Sequence, residues 1–139
     1  MSIQQSEVLY TAVATAENGR DGRVATDDGR LDVVVNPPKE MGGSGGGTNP
    51  EQLFAAGYSA CFQGALAVVA RRTGADLTGS TVTAKVGIGK NADGFGLIVE
   101  ISASVPNVDP ATAASLLAEA HQVCPYSKAT RGNISVTLV

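Results

Sequence analysis

The 139-residue chain has no tryptophan, three tyrosines, three phenylalanines, two cysteines and a single histidine. A structural zinc centre takes four ligands of the Cys/His type. The cysteines stand 63 positions apart with no Cys-x-x-Cys pair, so metal binding by them is not expected. Positive charge is also short: Lys+Arg number 10 against 13 Asp+Glu, a formal charge of −3. That balance excludes a basic nucleic-acid clamp. Residues 1–7 lack both the positive n-region and the apolar h-region of a secretory signal. A reducing cytoplasm is therefore the expected location, and two cysteines there are free or redox-cycling rather than a permanent staple.

What is present is small and apolar. Apolar residues make up 43 % of the chain, chiefly Ala and Val. At this length one domain, residues 1–139, is expected to bury roughly two-thirds of its unfolded surface. A core of such small side chains calls for a partner subunit to complete it.

Residues 8–16 and 31–35 are short β-prone runs separated by Asn18-Gly19, Asp21-Gly22 and Asp28-Gly29. Those turn dipeptides predict a meander of two or three strands. Residues 36–49 hold five of the 17 glycines and form a loop long enough to suspect a role. Residues 53–70 follow, 18 positions without a charge. That length touches the threshold for a membrane span, but Ser59, Gln63 and many small residues dilute it. The expected element is a helix buried on all sides, inside a domain or at a subunit interface.

Residues 81–88 and 97–105 alternate apolar and polar side chains, predicting two half-buried antiparallel strands joined across 90–94. Asp109-Pro110 opens a second helix that Cys124-Pro125 closes, and 134–139 alternates again as a last strand. The sum is an α+β domain.

Cys61 falls near the middle of the apolar helix and Cys124 at the end of the second. Either one packs as a small hydrophobe on position alone, and a fold that brings their Cα atoms within roughly 7 Å also permits a bond. As a nucleophile Cys61 needs help, because apolar surroundings raise a thiol pKa. The helix dipole fades within the first turn and lies too far away. A buried arginine suits the task. Arg20, held between two turns, is a candidate beside its plain reading as a solvated loop residue; Arg23, Arg30, Arg71, Arg72 and Arg131 are rivals. Glu51 completes a capping-box pattern, Thr48-x-x-Glu51. On a straight helix it lies about 15 Å from Cys61, so a shared site would draw Glu51 from a second subunit unless Gly57 breaks the helix. His121 and Cys124 share a helical face, which admits a Cys/His hydrolase, although a histidine resting at a helix C-terminus is the plainer account. A non-catalytic domain holding a lipid-like ligand in an apolar cleft is a further alternative.

The segments 18–22, 48–62 and 120–133, with Cys-Pro-Tyr-Ser at 124–127 and Thr-Arg-Gly-Asn at 130–133, resemble the organic hydroperoxide resistance (Ohr) branch of the OsmC/Ohr family. The similarity runs over essentially the whole chain. It implies an OsmC/Ohr-like fold, an intertwined homodimer with two sites at the subunit interface, and a thiol peroxidase without metal, haem or other cofactor. Carried over residue by residue, it implies a peroxidatic Cys61, a resolving Cys124, a thiolate-stabilising Arg20 and Glu51 orienting Arg20. It also implies an organic hydroperoxide substrate and a dihydrolipoyl group on a lipoylated protein as reductant, with no nucleic-acid or membrane partner. Phe54, Phe62, Phe95 and Tyr126 are expected to form the apolar substrate wall.

Overall fold

The computed structural model describes residues 6–139, so most of the stretch read for a targeting signal lies outside the described residues. The chain divides into two compact units, Met1–Pro50 and Glu51–Val139.

In the first unit, β1 (Ala14–Glu17), β2 (Gly22–Thr26) and β3 (Asp32–Val35) form an antiparallel meander in sequence order. The turn dipeptides act as expected. Asn18 and Gly19 both take positive φ, 58° and 55°, and Asp21 N–H closes the turn on Asn18 C=O at 3.0 Å. A side chain at Gly22 would meet the Glu17 carbonyl oxygen at 1.9 Å, so only glycine fits where this hairpin re-enters the sheet. Arg20 is thereby fixed at the hairpin tip, whose Asp21 carboxylate accepts a 2.7 Å hydrogen bond from Asn36 Nδ2.

The first strand is shorter than the apolar run from Val8 suggested. It pairs Ala14 with Thr26, and the last bond on that side is from Asp27 N–H to the Val13 carbonyl at 3.1 Å. Val8, Leu9 and Tyr10 are left 73, 93 and 79 % exposed.

In the second unit, α1 (Pro50–Thr73) runs unbroken through Gly57, and β4 (Thr81–Asn91) and β5 (Gly94–Ser104) follow as a long hairpin. Next come α2 (Pro110–Val123), α3 (Pro125–Thr130) and β6 (Val136–Leu138). The hairpin register runs from Thr81↔Ser104 to Asn91↔Gly94, and β6 adds parallel to β5. Asp109 caps α2 by accepting from Thr112 N–H at 3.1 Å, as its Asp-Pro pair predicted. The α1 and α2 helices pack Tyr58, Phe62, Leu66 and Leu116 against Val99 and Ile101 of the sheet. Full burial of one such side chain contributes about 1.5–3 kcal/mol.

By length and composition α1 is apolar enough to cross a membrane. Within the unit, the sheet and α2 cover one face of it, while Ala56, Ala60, Gln63 and Gly64 are exposed, so burial on all sides is not reached within a single chain. The helix α3 goes beyond the sequence reading, because Pro125 ends one helix and starts the next, fitting the first position of α3 without losing a needed N–H.

Candidate functional site

Cys61 and Cys124 meet inside the second unit. Their sulfurs are 3.6 Å apart and both thiols are free. Cys61 is half-buried on α1, whereas Cys124 is fully buried at the α2–α3 corner, serving as C-cap of one helix and N-cap of the next. Bond formation requires the sulfurs to close to about 2.05 Å.

Burial pushes the Cys61 thiol above its ordinary pKa; the backbone N–H of Tyr126 works in the opposite direction, and the contact with Cys124 raises it further. Burial and the neighbouring sulfur thus disfavour the Cys61 thiolate, and one main-chain donor favours it. That donor is the second residue of α3, so the unforeseen helix is part of the site.

Beside the sulfurs lies an aromatic triangle. Phe54 and Tyr58 stand edge to face with centroids 6.0 Å apart, Phe54 and Tyr126 at 6.1 Å, and Tyr58 and Tyr126 at 5.6 Å. Residues 54, 58 and 61 fall on one helical face. Gly57 makes room for the triangle: a Cβ there would come within 2.6 Å of the Tyr126 hydroxyl and 3.2 Å of its ring. Exchanging a mid-helix glycine for alanine ordinarily stabilises by about 1 kcal/mol. Gly57→Ala is expected to lose that gain to overpacking and end lower in stability by up to about 2 kcal/mol. Adding Tyr126→Phe, which removes the nearest atom, should restore part of the loss in urea unfolding.

The remaining expected site residues are placed differently. Phe62 is fully buried in the core. Phe95 is 65 % exposed on the hairpin, with Lys90 Nζ 5.3 Å from its ring centroid, apart from the aromatic triangle. Glu51 opens α1, and since the helix continues through Gly57 it stays about 15 Å along the axis from Cys61 of its own chain. Arg20 belongs to the first unit and Cys61 to the second. Of the rival arginines, Arg23 forks onto Asp32 with two 2.7 Å hydrogen bonds, Arg30 pairs with Asp28 at 3.3 Å, and Arg131 donates to the His121 carbonyl. His121 Nδ1 is hydrogen-bonded to Ser127 Oγ at 2.7 Å while the Cys124 sulfur faces Cys61, which leaves the Cys/His hydrolase without its pair.

Tyr58, Ser127 and the Tyr126 N–H did not stand out in the sequence, and Gly57 did so only as a possible helix break. The available signal was spacing: 57 and 58 lie four and three positions before Cys61, and Ser127 three after Cys124.

Fold and site together define an α+β protein built around a contacting pair of free cysteines. The family described as OsmC-like protein matches residues 43–139. The chain is 54 % identical over 134 residues to an organic hydroperoxide resistance protein of Xanthomonas axonopodis pv. citri, covering 95 % of this chain and 94 % of the relative. It superposes with a TM-score of 0.86 on the organic hydroperoxide resistance protein OhrB of Bacillus subtilis, at 43 % identity, covering 94 % of this chain and 98 % of that one. A Vibrio cholerae structure, described as a putative organic hydroperoxide resistance protein with captopril bound in one of the active sites, matches with a TM-score of 0.90 and 48 % identity over 97 % of this chain and 94 % of that one. The chain belongs to the OsmC/Ohr family, among its organic hydroperoxide resistance proteins.

Proposed function

We propose that the protein is a thiol peroxidase that reduces organic hydroperoxides to alcohols. The Cys61 thiolate attacks the terminal oxygen of ROOH; the S–O bond forms as O–O breaks, and the alkoxide leaves with a proton as ROH. Cys61 is then a sulfenic acid. The Cys124 sulfur attacks it, water departs, and a Cys61–Cys124 disulfide results. A dihydrolipoyl dithiol on a lipoylated protein restores both thiols by exchange and is itself oxidised to the cyclic disulfide. The observation that carries this reading is the 3.6 Å contact between the two sulfurs, in a chain of this family.

The aromatic triangle of Phe54, Tyr58 and Tyr126 supports an alkyl or fatty-acid hydroperoxide over hydrogen peroxide, which has no carbon to bury. Arg20 supplies the positive charge that burial alone denies Cys61, and Glu51 orients it. The protein works as a homodimer in the cytoplasm; the exposed Val8, Leu9 and Tyr10 favour a partner that covers them. Consumption of cumene hydroperoxide in the presence of dihydrolipoamide tests the reading, and a rate no greater than that of dithiol and hydroperoxide without protein would overturn it.

Arg20→Ala has a separate expected result. Burial already raises the Cys61 thiol, so loss of the cation moves it further up and the thiolate fraction at neutral pH falls. The pH profile of iodoacetamide alkylation shifts to higher pH. An unchanged profile removes Arg20 from the site.

A further inference from the structure

The proposed chemistry leaves a set of buried hydroxyls unused. Tyr58 and Ser127 are fully buried and Thr130 is 5 % exposed, in surroundings otherwise apolar. Tyr58 Oη lies 2.9 Å from Ser127 Oγ and 3.1 Å from Thr130 Oγ1. Ser127 Oγ also meets His121 Nδ1 at 2.7 Å, and Thr130 Oγ1 reaches the Ser127 carbonyl at 3.2 Å.

Each hydroxyl has one hydrogen to give, and this sets the direction of the whole chain. The Ser127 carbonyl only accepts, so Thr130 donates to it. With that hydrogen spent, Tyr58 donates to Thr130, Ser127 donates to Tyr58, and His121 must donate to Ser127. The proton of His121 therefore sits on Nδ1. Burial and the nearby Arg131 guanidinium both push this imidazole below its ordinary pKa, which keeps it neutral at pH 7 with Nε2 unprotonated.

We propose that this one-directional chain, Nδ1–H of His121 to Ser127 to Tyr58 to Thr130, is a positioning device that locks α3 and the Cys124 corner onto α1. Tyr58 is three residues before Cys61, and Ser127 follows directly the residue whose N–H reaches the Cys61 sulfur. The same hydroxyls that tie α1 to α3 thus hold both the Tyr126 donor and the Cys124 sulfur against Cys61. For its use in a catalytic cycle the inference rests on the peroxidase reading, but its test does not.

The test is the equilibrium of the Cys61–Cys124 pair with a glutathione redox buffer, read by thiol alkylation and mass, which involves no hydroperoxide. A loosened corner lowers the effective concentration of one thiol at the other. Tyr58→Phe and Thr130→Val each remove two hydrogen bonds of the chain and are expected to lower the equilibrium constant for disulfide formation by about fivefold or more. Thr130→Ser, which keeps the hydroxyl, should stay within about twofold of the parent. The chain has a single histidine, so ¹⁵N spectra of the unsubstituted protein report the tautomer without ambiguity and do not depend on any variant folding. The Nδ1–H form is expected. Equilibrium constants unchanged in both hydroxyl-deleting variants, or an Nε2–H tautomer, would overturn the proposal. A protein that shows these shifts but consumes no hydroperoxide would sink the peroxidase reading and leave the positioning role standing.

Discussion

Cys61→Ser is expected to abolish hydroperoxide consumption, by at least about a thousandfold in kcat/KM. A serine hydroxyl is not ionised near neutral pH and offers no soft nucleophile to a peroxide oxygen. The exchange removes little volume from a half-buried position on α1, so the fold should persist. Circular dichroism and the melting temperature serve as the control. Retained dithiol-dependent turnover in the folded variant would contradict the account, because no other cysteine than Cys124 exists in the chain.

Cys124→Ser should fail differently. The first equivalent of hydroperoxide per protomer is still consumed, since Cys61 alone carries that step, and turnover then stalls at the sulfenic acid. Excess hydroperoxide drives Cys61 on to the sulfinic acid, visible by mass as a second oxygen on the peptide containing it. The pH dependence has a definite sign as well. Contact with Cys124 raises the Cys61 thiol; removing that sulfur lowers it, so the fraction of thiolate below its midpoint grows. Alkylation of Cys61 is accordingly faster at neutral pH in this variant than in the parent. Steady turnover without over-oxidation would remove Cys124 from the resolving role, and slower alkylation would contradict its effect on the Cys61 thiol.

Much of the fold was legible because its signals are local. Asn18-Gly19 turns the first hairpin, the alternation over 81–88 and 97–105 becomes β4 and β5, and Asp109-Pro110 starts α2. The differences lie in long-range context. The apolar run from Val8 reads as strand, but its pairing ends at Val13, which accepts from Asp27 N–H. The uncharged run over 53–70 reads as buried inside a domain or at a subunit interface, and within one chain only one side of α1 faces the sheet and α2. The proline after Cys124 reads as a stop, when it is also the first residue of a new helix.

Of the site, the cysteines stood out by their motifs, whereas their partners did not. Tyr58, Ser127 and Thr130 are ordinary polar residues whose meeting depends on how α3 packs on α1, and a main-chain donor such as the Tyr126 N–H has no side-chain signature at all. Phe95, expected in the apolar wall, stands exposed on the β4–β5 hairpin beneath Lys90.

The most direct test of the central claim is the mass of the protein after one equivalent of tert-butyl hydroperoxide under non-reducing conditions. The expected result is the loss of two hydrogens and a peptide map joining Cys61 to Cys124. An unchanged mass with both thiols still open to alkylation would contradict it.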